Sequence, residues 1–109
     1  MARVLDSSGN SANLEGISNG QQQREVTVST GSTEVSKNVP SRNFLLLVND
    51  SDEVVYISIG EDAVSNTGIR LNASGGSYQM SQKGGNLTSS VINAICASGS
   101  KVLTVTESA

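Results

Sequence analysis

Histidine is absent from this chain of 109 residues, and its one cysteine, Cys96, has no partner for a disulfide. No Ser-His-Asp or Cys-His nucleophile can be assembled from such a sequence. Zinc sites built from several Cys and His ligands are ruled out with them. Ser98-Gly-Ser-Lys101 carries the letters of the S-x-x-K acylating motif, but that motif needs a helix start and partner motifs the sequence lacks, so it reads as a turn between strands. Gly75, Gly76, Gly84 and Gly85 fit neither phosphate-cradling pattern and read as turn glycines. Asp50, Asp52 and Glu53 form an acidic group, with Glu61 and Asp62 at the far end of the next strand, roughly 20 Å away. Asp50 and Asp52 with nearby carbonyls leave room for a weak calcium site at most, because the spaced ligands of an EF-hand loop are missing; a solvated turn is the simpler reading. Cys96, between Ile95 and Ala97, reads as a small buried hydrophobe. The sequence therefore predicts no catalysis, no cofactor and no metal.

Composition narrows the class further. One domain's worth of chain can bury a single modest core. Charged residues make up 16%, against roughly 25% in ordinary soluble domains. Serine, threonine, asparagine, glutamine and glycine take their place, a mixture suited to strands and turns. With a net charge of −3 and no dense Lys/Arg cluster, there is little to neutralise phosphates, so nucleic acid is not an expected partner. The longest apolar run, Phe44 to Val48, has strand length and falls far short of the roughly 20 residues that span a bilayer. Nor does Met1 to Asp6 lead into the apolar stretch of a secretory signal, so a soluble protein made in the cytoplasm is expected. The asparagine sequons at 49, 72 and 86 are accordingly read as letters only. Aromatics are 3% of the chain, leaving Phe44, Tyr56 and Tyr78 as the large rings available to an aliphatic core.

Residues 1–24 differ from the rest. They are polar, with isolated Val4, Leu5, Leu14 and Ile17, too few to repay the entropy of ordering the segment by itself. This stretch reads either as a loose terminus or as an extended arm whose apolar residues dock on a neighbour. Residues 25–109 read as a domain of short β runs parted by turn residues. Val26–Val28 alternates, and Val35–Val39 is a weaker strand stopped by Pro40. Phe44–Val48 reads as a strand buried on both faces or central in a sandwich. Asn49–Asp52 reads as a turn pairing it with Val54–Ile59 in a hairpin, in which Val55, Ile57 and Ile59 share a face. Ile69–Leu71 and Ser77–Met80 follow, and Val91–Ala97 with Lys101–Thr106 makes a second hairpin closed by Ser98-Gly-Ser100. No window has sustained helical periodicity. An antiparallel β-sandwich or jelly roll with an extended N-terminal arm is the expected fold.

From Arg42 to Glu107 the sequence resembles small virion proteins of tailed bacteriophages. The resemblance rests on Arg42-Asn-Phe-Leu-Leu-Leu-Val-Asn49, Val55-Tyr-Ile-Ser-Ile-Gly60, Ala63, Gly68-Ile-Arg-Leu71, Gly85-Asn-Leu87, Ile92-Asn-Ala-Ile95 and Val102-Leu-Thr-Val-Thr-Glu107. It covers about two thirds of the chain and records strands and turns rather than a catalytic signature. It implies a β-sandwich serving as a capsid decoration (cement) protein on the virion surface. The partners implied are the major capsid protein and further copies of the chain, as dimer or trimer. Leu5, Leu14 and Ile17 are the expected anchors of the arm on the shell. A tail, neck or fibre-base component is the alternative within the same class. A carbohydrate-binding sandwich is a third reading, disfavoured because sugar platforms stack on aromatics that are scarce here.

Overall fold

A computed structural model of the chain describes residues 5–7, 10–11 and 21–109. Two short strands, β1 (Leu5–Ser7) and β2 (Asn10–Ser11), pair antiparallel near the start. Eight further strands build two sheets: β3 (Gln21–Val28), β4 (Thr33–Ser36), β5 (Phe44–Asn49), β6 (Val55–Ile59), β7 (Ile69–Leu71), β8 (Ser77–Ser81), β9 (Ile92–Cys96) and β10 (Lys101–Ser108). One sheet has the order β3-β10-β5-β8 and the other β4-β9-β6-β7. All the pairings are antiparallel. No helix among the described residues is long and apolar enough to cross a membrane.

The pairings disclose how the chain is wound. β3 pairs with β10, β4 with β9, β5 with β8 and β6 with β7, as in one long ribbon doubled back at the loop between β6 and β7. Rolling that ribbon brings β10 beside β5 and β9 beside β6, which completes two four-stranded sheets. This is the eight-stranded jelly roll, one of the two forms the sequence led us to expect. Among the eight strands β3 to β10, every connection except that between β6 and β7 passes from one sheet to the other.

Two expected hairpins are therefore corrected. Phe44–Asn49 and Val55–Ile59 lie in opposite sheets, as do Ile92–Cys96 and Lys101–Ser108. The turn residues between them are genuine, but they carry the chain across the core instead of returning it to the neighbouring position. Nor is β5 buried on both faces: Leu45, Leu47 and Asn49 are fully buried, whereas Phe44, Leu46 and Val48 are half-buried on the outer side. The ring assignment changes too. Tyr78 packs against the core, while Phe44 and Tyr56 belong to outward-facing rows of their sheets.

The core lies between the sheets. Leu45, Leu47, Met80, Leu103, Val105 and Val28 come from one side; Val55, Ile57, Leu71, Ile92, Ala94 and Cys96 come from the other. Alternate residues of each strand supply it, which is the period of two that a pleated strand imposes. The expected Val55-Ile57-Ile59 face is the inward face of β6, with Ile59 at its margin. Cys96 is buried within β9 as expected. Gly68, with φ of +83°, ends the loop before β7 where a Cβ atom would collide with the Ile57 carbonyl oxygen. Only glycine makes that turn without strain.

Candidate functional site

The two edge strands β3 and β4 lie beside each other across the same open side of the sandwich. At one end that side is closed, because Cys96 N–H donates to the Ser29 carbonyl across the sheets at 3.1 Å. Towards the start of β3 the strands part, and a groove of about 730 Å³ opens between them. Gln22 and Arg24 line it from β3, Val35 and Ser36 from β4, and Glu107 and Ser108 from the end of β10. Gln21, where the N-terminal segment joins the sandwich, is paired with Ser108 at this corner. The sheet thus begins at Gln21, and the four residues Gln21–Arg24, which the sequence grouped with the arm, form ladder pairs with Val105–Ser108.

The floor of the groove is a buried ionic cluster. Arg42, whose side chain has no exposed surface, donates from Nε to Glu107 Oε2 at 2.7 Å. Its Nη1 donates to the carbonyls of Thr88 and Ser90, and its Nη2 to Ser36 Oγ and the Lys37 carbonyl. All five N–H groups of the guanidinium are thereby used, the condition under which burying an arginine becomes tolerable. Ser36 Oγ passes the chain of bonds on by donating to Glu107 Oε2 at 2.6 Å. Glu107 Oε1 accepts from Arg24 Nη2, which also reaches the Val35 carbonyl on the opposite sheet.

Local backbone geometry puts Ser36 in place. Register shifts in β4 between Glu34 and Ser36, so that Val35 and Ser36 are both buried. A bulge of this kind re-aims side chains at the edge of a sheet. Burial by itself would raise the Glu107 pKa; hydrogen bonds from Ser36 and Arg42, and the charge of Arg42, outweigh it and hold the carboxyl below its usual range. The cluster ties the end of β10 to β4, to the segment before β5 and to the segment before β9. Arg24 is its outermost member, with its side chain 34% exposed towards the groove.

The opposite end of the sandwich is fastened differently. Asn49, completely buried, donates from Nδ2 to the carbonyls of Glu53, Leu71 and Asn72 and accepts at Oδ1 from Ser51 N–H and Oγ. It holds the crossing from β5 to β6 against the end of β7. Outside it, Glu53 accepts from Ser98 N–H and Oγ, and Lys101 Nζ donates to Asp52 Oδ1 at 2.7 Å. Two of the three acidic residues of the sequence group, Asp52 and Glu53, thus tie the 49–54 crossing to the 97–101 crossing. The Ser98 hydroxyl that S-x-x-K spacing singled out donates to a carboxylate within that turn. Hydrogen bonds from Ser98 lower the Glu53 pKa, and the bond from Lys101 lowers that of Asp52. Among the described residues no group of three or more His, Cys, Asp or Glu side chains is placed to hold a metal ion.

Of the three expected anchors, Leu5 is in β1, while Leu14 and Ile17 lie outside the described residues. The residues that build the corner, Arg24, Ser36, Arg42 and Glu107, carried no role in the sequence reading. A signal for two of them was present: Arg42 opens the first stretch on which the resemblance rests and Glu107 closes the last, and Arg42, Leu45 and Asn49 of that first stretch are all buried. Comparisons of the chain with protein-family models, with curated proteins and with solved structures find no match.

Proposed function

We propose that this chain is a structural module of a virion, a decoration protein that attaches to a phage capsid shell and fastens neighbouring subunits without catalysis. The observation that carries this reading is the placement of the groove. The strand that continues from the N-terminal segment is an edge strand, and its neighbour across the groove, β4, is an edge strand as well. Unpaired main-chain groups on such edges accept an added strand, which gives affinity without needing a particular sequence. The resemblance of residues 42–107 to small virion proteins supplies the class of assembly.

The remaining features suit that task. A jelly roll with both ends pinned presents the same corner in every copy. Contacts that are weak singly then add over the many equivalent positions of a shell. Residues 12–20 span at most about 30 Å when extended, enough to carry Leu14 and Ile17 from the corner onto an adjacent subunit. Arg24 offers a charged donor to a carboxylate or carbonyl brought into the groove.

Because the sandwich begins at Gln21, the deletion that tests the arm removes residues 1–20 and leaves Arg24 in its ladder. The truncated chain is expected to keep its fold by circular dichroism and to lose binding to empty shells in co-sedimentation. Undiminished binding would remove the arm from the proposal. Copy number per particle then separates a decoration protein, present in hundreds of copies, from a tail, neck or fibre-base part, present in few.

A further inference from the structure

We infer that the outer face of the β3-β10-β5-β8 sheet is a contact surface between two copies of this chain. Reading across the ladders, the outward residues form rows: Gln23-Thr106-Leu46-Gln79, then Glu25-Thr104-Val48-Ser77, with Ser108, Phe44 and Ser81 before them and Thr27 with Val102 after. Phe44, Leu46, Val48 and Val102 are half-buried and make an apolar centre on the two middle strands, flanked by threonines. The ionisable residues lie at the margins: Glu25 on the edge strand, and Asp50, which follows β5 and donates its N–H to the Val102 carbonyl.

The outer face of the other sheet is built in the opposite way. Its rows contain Glu34 and Arg70, and the chain itself covers it. The 60–68 loop lies over it, with Asn93 Nδ2 donating to the Glu61 carbonyl and the Tyr56 hydroxyl to Asn66 Oδ1. Ile95 on that face is 9% exposed as a result, and Ala63 of the loop is 5% exposed. One sheet thus shields its outward apolar residues with its own loop, and the other has no such loop among the described residues.

A second copy fits the uncovered face best. An uncharged apolar centre meets its own image without burying an unpaired ion, since Glu25 and Asp50 stay at the solvated rim, and depletion of charge at such a centre marks the core of a protein interface. Two such sheets can pack at about 10 Å, as the sheets within a sandwich do. Four strands and six residues give a footprint of roughly 19 by 20 Å, or about 400 Å². That is half of the roughly 800 Å² that each partner contributes to a stable complex. The contact is therefore weak in dilute solution and populated when copies are held close together. The inference stands whatever larger assembly holds them.

Sedimentation equilibrium of the full chain over a wide concentration range tests it. Reversible dimerisation is expected at high concentration, and Leu46→Lys should move its midpoint about tenfold or more upwards by burying a charge. Gln79→Lys, at an exposed position of the same row, should act in the same direction without touching the core. Arg70→Glu on the other sheet should leave the midpoint unchanged. A chain that stays monomeric throughout, or a dimer that tolerates both lysines or fails with Arg70→Glu, overturns the proposal. It is equally overturned if only the form lacking residues 1–20 dimerises, since the chain's own N-terminal segment would then cover the face.

Discussion

The two ends of the sandwich are pinned by opposite means. At the groove end, a fully buried guanidinium and a nearly buried carboxylate join four segments, and each donor of Arg42 is spent on holding the strands' ends together. At the far end, a neutral amide does the buried work, and the charges of Asp52 and Lys101 stay at the surface. Ionic groups in low dielectric do not tolerate the loss of one member, because the partner left behind is a buried charge without its full compensation. Exposed ion pairs are screened and hold little. The ionic end is also the end with the open groove. A recognition site benefits from rigid walls whose positions are set by buried bonds rather than by mobile surface charges.

This contrast can be broken or sharpened by substitution. The largest effect is expected from Arg42→Ala, which leaves Glu107 with only Ser36 and the partly exposed Arg24 and deprives three carbonyls of their donor; a loss of about 3–5 kcal/mol in denaturant unfolding is the scale for breaking a buried pair. Asn49→Ala should cost less, on the order of 1–3 kcal/mol for buried carbonyls left without a partner. A loss at Asn49 larger than that at Arg42 would reverse the ranking of the two ends. The smallest effect is a pH dependence. Since Glu107 in the folded chain titrates below its ordinary value of 4.5, its contribution is complete above that value and is lost as the pH falls through the lower, folded pKa. Glu107→Gln should therefore flatten the acid limb of a stability-against-pH curve, at the expense of stability near neutrality. Asp52→Asn, at the exposed pair, should leave both the acid limb and the midpoint close to those of the parent chain.

Much of the fold was legible, and the failures share a cause. Strand positions followed from alternation, glycine turns and the absence of helical period, and the residues grouped on one face of β6, Val55, Ile57 and Ile59, are its inward ones. Which strands pair was not legible from the turns, because Asn49–Asp52 and Ser98–Ser100 have the same chemistry whether a chain returns beside itself or crosses to another sheet. A discriminating signal was the parity of Asn49. It continues the inward series of Leu45 and Leu47, so its amide points into the core, and a buried amide requires carbonyls from a second layer. The groove was illegible for a different reason. Arg24, Arg42 and Glu107 are scattered over more than eighty positions, and as single charged residues they resemble solvated surface. Only the closing of β3 and β4 against the last strand brings them together.

The winding of the ribbon also orders events in time. β3 finds its ladder partner only in β10, and the bonds from Arg24 and Arg42 to Glu107 span 83 and 65 residues of chain. Contacts so distant along the chain are slow to form, because the loops they close are entropically expensive. On the ribosome the first strand of the sandwich must wait unpaired until nearly all of the sequence has emerged. The corner beside the groove is then the last part of the molecule to form, so the proposed docking surface does not exist until the chain is nearly complete.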